Sequence, residues 1–361
     1  MTNRLFIPGP TEVREEILHE LSKPQIGHRT QEFRDLFASL KPGLKKIFFT
    51  DNDVLISTSS GSGFWEASSR CCVNKKVLHA VNGAFSKKWA DISESCGKEV
   101  VRVKYESGKA VKPEEIDKEL SNGDYEAFAM VHNETSTGVA SDLKPIAKVM
   151  EKHPDVLWFV DAVSSLAGIK IEVERLGIDI CLASSQKALA LPPGISVASV
   201  SQKAFKKAET VSGRGYYFDI LELKNAYDKN ETPYTPSIPH LYALKKQIER
   251  IEKEGIENRF RRHKRMAEYT RDWAQRNGLK MFSEEGYHSN TISCMINIKK
   301  LDFSAIKKKM ATYGYSIDSG YKKLNEKLEA EGKPNTFRIA HMGDLTLDEI
   351  KTLTQELEKY F

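Results

Sequence analysis

The sequence predicts an α/β fold: a large domain with a mainly parallel sheet covered by helices, followed by a smaller C-terminal α+β domain. Three observations predict it. Between about residues 54 and 201, short apolar β-rich runs alternate with amphipathic stretches, the pattern of strands buried on both faces. Polar signatures stand directly after several of those runs, where open α/β sheets hold their ligands. Beyond residue 232 the pattern changes to a proline-rich TPYTPSIP, a long charged helical stretch over 240–276, and a short mixture of strands and helices.

The elements follow in order. Residues 54–57 are strand-like and lead through SSGSG (59–63) into a helical start at 64–70. Strands are expected at 77–81, 127–131, 156–160, 180–183 and 195–200, with helices at 87–96, 113–120 and 143–152 between them. The last part gives a strand at 291–298, a helix near 303–313, a strand at 337–340 and a helix from Leu347. The expected division is residues 1–240 for the large cofactor-binding domain and 241–361 for a connecting helix and the small domain, with the boundary somewhere in 240–280.

Composition excludes several classes. Apolar residues at 40% and charged residues at 29% suit a globular protein, and no run approaches the ~20 apolar residues of a membrane span. The opening MTNRLFIPGPTEV lacks the charged and apolar regions of a secretion signal, so a cytoplasmic location is expected. Five cysteines, an odd number without paired CxxC spacing, point away from a disulfide framework or a metal site. The net charge of +5 is mild, and the basic run from Arg259 to Arg265 lies in a helix of mixed charge. It is expected to be a solvated face and not a nucleic-acid surface.

The chemistry centres on two residues. Asp161 closes the apolar run VLWFV, where an unpaired carboxylate is costly. Lys187 stands in SSQKAL after the next strand. An acid and a lysine at the carboxyl ends of two neighbouring strands suit pyridoxal phosphate, which needs a lysine to hold its aldehyde and an acid to keep its pyridine nitrogen protonated. SSGSG supplies small residues and hydroxyls before a helix, a cradle for a phosphate. It does not fit the GxxxxGK[ST] nucleotide loop, since no lysine follows.

IPGPTEV, GHRTQEF, SSGSGFWEA, VNGAF, HNETSTGV, FVDAVSSLAG, ICLASSQKALALPPG and FRIAHMG, in this order over nearly the whole chain, resemble the class V aminotransferases of the fold type I pyridoxal-phosphate family. The nearest branch looks like the alanine–glyoxylate and serine–pyruvate aminotransferases. The resemblance implies that Lys187 carries the cofactor and Asp161 pairs with its ring nitrogen. It gives Ser60, Gly61 and Ser62 to the phosphate with Gln186 nearby, Ser136 to the ring edge or phenolic oxygen, and Val163 and Phe85 to the two ring faces. Thr235 corresponds to a residue that reaches the cofactor phosphate of a neighbouring subunit, which implies a homodimer with its active site at the interface. Thr232 and Tyr234 stand close enough to compete for that role. Arg338 corresponds to the arginine that grips the substrate α-carboxylate, and Gly9 to a backbone stretch lining the substrate pocket.

The branch implies transamination of a small amino acid, alanine or serine, with glyoxylate or pyruvate as acceptor. His28 and Arg29, in GHRTQEF, resemble a pair that holds the substrate phosphate in phosphoserine aminotransferases, and that activity is the alternative. A cysteine desulfurase-like lyase would need a reactive cysteine in the C-terminal region. The one there, Cys294, lies in the alternating run of a half-buried strand. A non-catalytic pyridoxal-phosphate-binding protein is the remaining alternative; it would have no need of Lys187, Asp161 and Arg338 together.

Overall fold

The computed structural model describes residues 4–361; residues 1–3 of the expected large domain lie outside the described residues. Seven strands form the large sheet: β1 (Asp53–Ser57), β2 (Lys76–Val81), β3 (Glu99–Lys104), β4 (Ala127–Val131), β5 (Leu157–Asp161), β6 (Ile180–Ser184) and β7 (Ser196–Val200). They lie side by side in the order β1-β7-β6-β5-β4-β2-β3. All neighbouring pairs are parallel except those made by β7, which runs antiparallel to both β1 and β6. Chain length explains the exception. Residues 185–195 are too few for a crossover helix, so the chain turns back beside β6.

The central strands β4 to β7 are buried at every position, which is why they stand out as apolar runs. The edge strand β3, EVVRVK, is half-exposed and alternates with charge, and the sequence reading passed over it. Of the helices that serve the site, α1 (Gly61–Cys72) follows β1 and α2 (Ala84–Ser95) follows β2.

The charged stretch expected as one long helix is two, α3 (Ile238–Glu254) and α4 (Ile256–Arg276). Gly255 separates them at φ +80°, a conformation that costs glycine little, and its N–H closes the end of α3 on the Ile251 and Glu252 carbonyls. The break also divides the packing. Leu241, Leu244, Ile248 and Ile251 of α3 join the core around the large sheet. Met266 and Trp273 of α4 join a second, smaller core. That core rests on an antiparallel sheet of β8 (Lys280–Met281), β9 (Ile292–Ile296) and β10 (Thr336–Ala340), and is covered by α5 (Leu347–Glu358).

At the start of the chain, expected with the large domain, Arg4–Leu5 pairs with Tyr315–Ser316 and Phe6 is buried in the second core. The segment then crosses to the large sheet, so it straps the two cores together. The basic run in α4 was expected to be solvated: Arg261, Lys264 and Arg265 are exposed, but Arg259 is 1% exposed and His263 is fully buried. Arg259 is ion-paired to Asp344 at 2.7 Å and Glu254 at 3.0 Å, which is what makes its burial tolerable. Among the described residues no helix is long and apolar enough to cross a membrane.

Candidate active site

Lys187 stands in the turn after β6, and four contacts fix its backbone and head. Its Nζ donates to the Pro8 carbonyl. The Thr11 hydroxyl donates to the Lys187 carbonyl at 2.9 Å and the Thr11 N–H to the Gln186 carbonyl at 3.1 Å. Arg259 donates to the Ala188 carbonyl at 2.8 Å. Gly9 lies directly against the side chain: a Cβ there would sit 2.6 Å from Nζ, and its φ of +134° excludes other residues on its own account. Burial lowers the lysine pKa to about 8, helped by the Arg338 charge and opposed by Asp161 and Asp318. An amine so placed is partly unprotonated near neutrality, as a nucleophile must be.

Asp161 ends β5. Its Oδ1 accepts from the Val163 N–H at 2.6 Å and its Oδ2 from the Trp65 indole N–H at 2.9 Å. Burial pushes its carboxyl up to about 7 against the pull of those two donors; Glu134 adds to the rise and Lys187 opposes it. Trp65 comes from α1, and the sequence reading did not find it.

Phe85 opens α2, where its N–H donates to Glu134 at 3.1 Å. Glu134 is fully buried and also accepts from the Ser86 N–H and hydroxyl and from the Ser136 N–H and hydroxyl. This one carboxylate therefore ties VNGAF to HNETSTG. Gly83 makes room for it, since a Cβ there would lie 2.3 Å from the Glu134 Cγ.

One cavity of about 160 Å³ gathers most of the expected residues: Ser60, Gly61, Ser62, Phe85, Asp161, Val163, Gln186 and Lys187 all line it. Arg338, on β10, is buried at its edge. Its Nε donates to Asp318 at 2.7 Å and its Nη1 to the carbonyl of Thr135, a lining residue, at 2.9 Å. Tyr321 lies between them, its ring 6.0 Å from that of Phe85 and 5.9 Å from the Arg338 guanidinium.

Ser136 does not line the cavity. Its hydroxyl is turned to Glu134 at 2.6 Å and accepts from the Ala84 N–H, and Asn133 and Thr135 occupy the wall instead. The chain turns here, with the Thr137 and Gly138 N–H groups closing on the Glu134 carbonyl, and the turn folds the Ser136 hydroxyl back onto the Glu134 carboxylate.

Three more expected residues lie elsewhere. Thr235 borders a separate depression with Thr58, Thr232 and Tyr234. Arg29 donates to the Thr232 and Pro233 carbonyls and lies 3.6 Å from Glu231, so it braces the proline-rich loop; His28, beside it, is half-buried and also outside the lining. Cys294 is fully buried in β9 and burial pushes its thiol up to about 12, which leaves it inert as a nucleophile.

The residues present fit pyridoxal phosphate. Asn133 is 2% exposed and lines the cavity, yet neither its amide oxygen nor its nitrogen has a partner. A buried amide left so is costly unless a ligand meets it. Ser60–Ser62 open α1, where the free amides of a first turn suit a phosphate. A Cβ on Gly61 would sit 2.8 Å from Val163 and close that cradle. The sheet order puts the cradle that follows β1 on one flank of Asp161 and Asn133, which follows β4, on the other. Phosphate and phenolic hydroxyl likewise sit on opposite flanks of the cofactor ring.

The pattern of the aminotransferase class-V family matches residues 16–353. The chain is similar to a serine–glyoxylate aminotransferase of Methylorubrum extorquens, 34% identical over 358 residues, which cover 95% of this chain and 87% of that one. It is also similar to an L-aspartate–glyoxylate aminotransferase of Paracoccus denitrificans, 33% identical, with 95% and 87% covered. Among solved structures, it resembles an aspartate aminotransferase of subgroup IV from Thermus thermophilus at 27% identity and a TM-score of 0.89, over 99% of both chains.

Proposed function

The chain belongs to the class-V aminotransferases, pyridoxal-phosphate-dependent enzymes built on fold type I, and from that premise we propose that it transfers the amino group of alanine or serine to a small 2-oxo acid, glyoxylate or pyruvate. The observation that carries this reading is that Lys187 and Asp161 line one cavity and that Arg338 is bonded to the carbonyl of Thr135 in its wall. The serine–glyoxylate relative supports the choice of substrates.

When bound, the cofactor supplies an electron-withdrawing ring that takes up the electron pair freed at the substrate α-carbon. Lys187 would hold the cofactor aldehyde through Nζ, and the same amine is the group placed to move the substrate α-proton. Asp161 stays anionic against the ring nitrogen. Ser60, Gly61 and Ser62 bind the phosphate with Gln186 alongside, and Phe85 and Val163 enclose the ring. Asn133 and Thr135 serve the phenolic edge in place of Ser136. Arg338 grips the substrate carboxylate, oriented by Asp318, and Gly9 leaves the space in which Lys187 swings. Thr235 of a second copy completes the phosphate site of a homodimer.

A dicarboxylic donor is a second reading. Lys88 is an exposed lysine lining the cavity without a carboxylate partner among the described residues, and one relative acts on L-aspartate. The phosphoserine reading loses its support within one chain, because Arg29 is engaged with the loop at 232–233.

The test is the visible spectrum of the purified protein titrated with alanine, serine, aspartate and phosphoserine in turn. Bleaching of a yellow band by alanine or serine supports the first reading. Bleaching by aspartate or phosphoserine alone moves the substrate accordingly. In Lys187→Ala the band and turnover should both vanish, and turnover that persists would overturn the role of Lys187.

A further inference from the structure

Asp161 must be an anion to hold a protonated pyridine nitrogen, yet its surroundings favour the neutral acid. Burial dominates, Glu134 adds its charge from the segment after β4, and the Cys181 thiol of β6 lies nearby; the Lys187 charge opposes them. Two hydrogen bonds oppose protonation. The Val163 N–H is backbone and fixed by the chain two residues on. The Trp65 indole is the only side chain donating to this carboxylate among the described residues.

The indole is itself held in place. Its ring stacks on Trp89 at 5.9 Å and 15°, the Trp89 N–H donates to the Trp65 carbonyl at 3.3 Å, and His79 packs edge-on against Trp89 at 5.6 Å. Apolar packing alone would not require a nitrogen at this spot. One donor sits on each carboxylate oxygen, so the remaining lone pairs have a set direction.

We propose that Trp65 is a positioning residue that keeps the Asp161 carboxylate charged and aimed at the ring nitrogen through its indole N–H. This rests on the reading that Asp161 partners that nitrogen.

The experiment compares wild type, Trp65→Phe and Trp89→Phe. Phenylalanine at 65 keeps an aromatic ring and removes only the donor. In cofactor-free protein carrying ¹³C-labelled aspartate, with Asp161→Asn to assign the signal, the Asp161 carboxyl should titrate at higher pH in Trp65→Phe and not in Trp89→Phe. The dissociation constant of pyridoxal phosphate should rise about 10-fold in Trp65→Phe near neutrality, the scale of a hydrogen bond to a charged group. That loss should shrink as the pH rises and the carboxyl ionises regardless. An unchanged titration overturns the proposal, as does a pH-independent loss of affinity shared by both variants, which would mark packing alone. Failure of wild type to bind the cofactor would sink the functional reading instead, and the carboxyl titration would still decide the role of Trp65.

Discussion

Asp161 and Asp344 are buried to nearly the same depth, 3% and 6% exposed, and their carboxyls are driven in opposite directions. Burial pushes both upward. At Asp344 the Arg259 guanidinium, 2.7 Å away, outweighs it, with Arg250 at 3.4 Å and the Gln247 amide at 3.2 Å, and holds the carboxyl below its ordinary range. At Asp161 two neutral N–H groups and the charge of Lys187, which makes no ion pair with it, answer, and the carboxyl rises to about 7. The fold satisfies one carboxylate completely and leaves the other short of a cation. An acid kept in that condition next to a cavity is where an external positive charge belongs, whereas the satisfied one joins α4 to the segment after β10.

Exchanging each acid for its amide should break the comparison along that line. The largest effect is expected from Asp161→Asn, which should lower kcat/KM by roughly 100-fold or more, the usual cost of removing a preorganised electrostatic partner. Its melting temperature without cofactor should hold or rise, because a neutral amide replaces an underpaired carboxyl. Asp344→Asn should do the reverse. Urea unfolding should show a loss of about 3 kcal/mol, as for other broken buried pairs, while the folded fraction keeps most of its activity. If both amides cost stability equally, the distinction is wrong.

A smaller effect separates them by pH. The folded pKa of Asp161 is above its ordinary value of 3.8, so the native cofactor-free protein binds the extra proton between there and about 7. Stability is then lost as pH rises through that window, by up to about 1.4 kcal/mol per unit. Asp344 has a depressed pKa, so its contribution is present above the ordinary value and lost as pH falls below it. Melting curves of wild type minus Asp161→Asn should therefore slope downward from mildly acidic to neutral pH; a flat difference would mean that Asp161 titrates normally.

The same contrast marks what could be read in the sequence. Strands β4 to β6 and the polar groups behind them were legible because each is buried at every position and almost wholly apolar, and ends at the ligand side. Asp161, Lys187 and SSGSG could be singled out there, and residues 60–62 and 187 line one cavity with it. Trp65 was hidden because its bond to Asp161 spans 96 positions and an indole in a helix reads as core. Glu134 and Arg259 were hidden because a charge in sequence looks solvated, and only the fold shows the amides and carbonyls that surround it. Ser136 was chosen over Thr135 by motif, and only the turn that closes on Glu134 shows which of the two faces the cavity.

The strap at the start of the chain has a consequence for how the site comes into being. Phe6 hands its carbonyl to the N–H of Ala340, and a few residues later Pro8, Gly9 and Thr11 form the seat of Lys187. The bonds from Thr11 to residues 186 and 187 need only the large sheet, whereas the anchor at Phe6 needs β10, which is made near the end of the chain. Closing so distant a pair is slow relative to local structure, so the inner end of the strap can be fastened before its outer end.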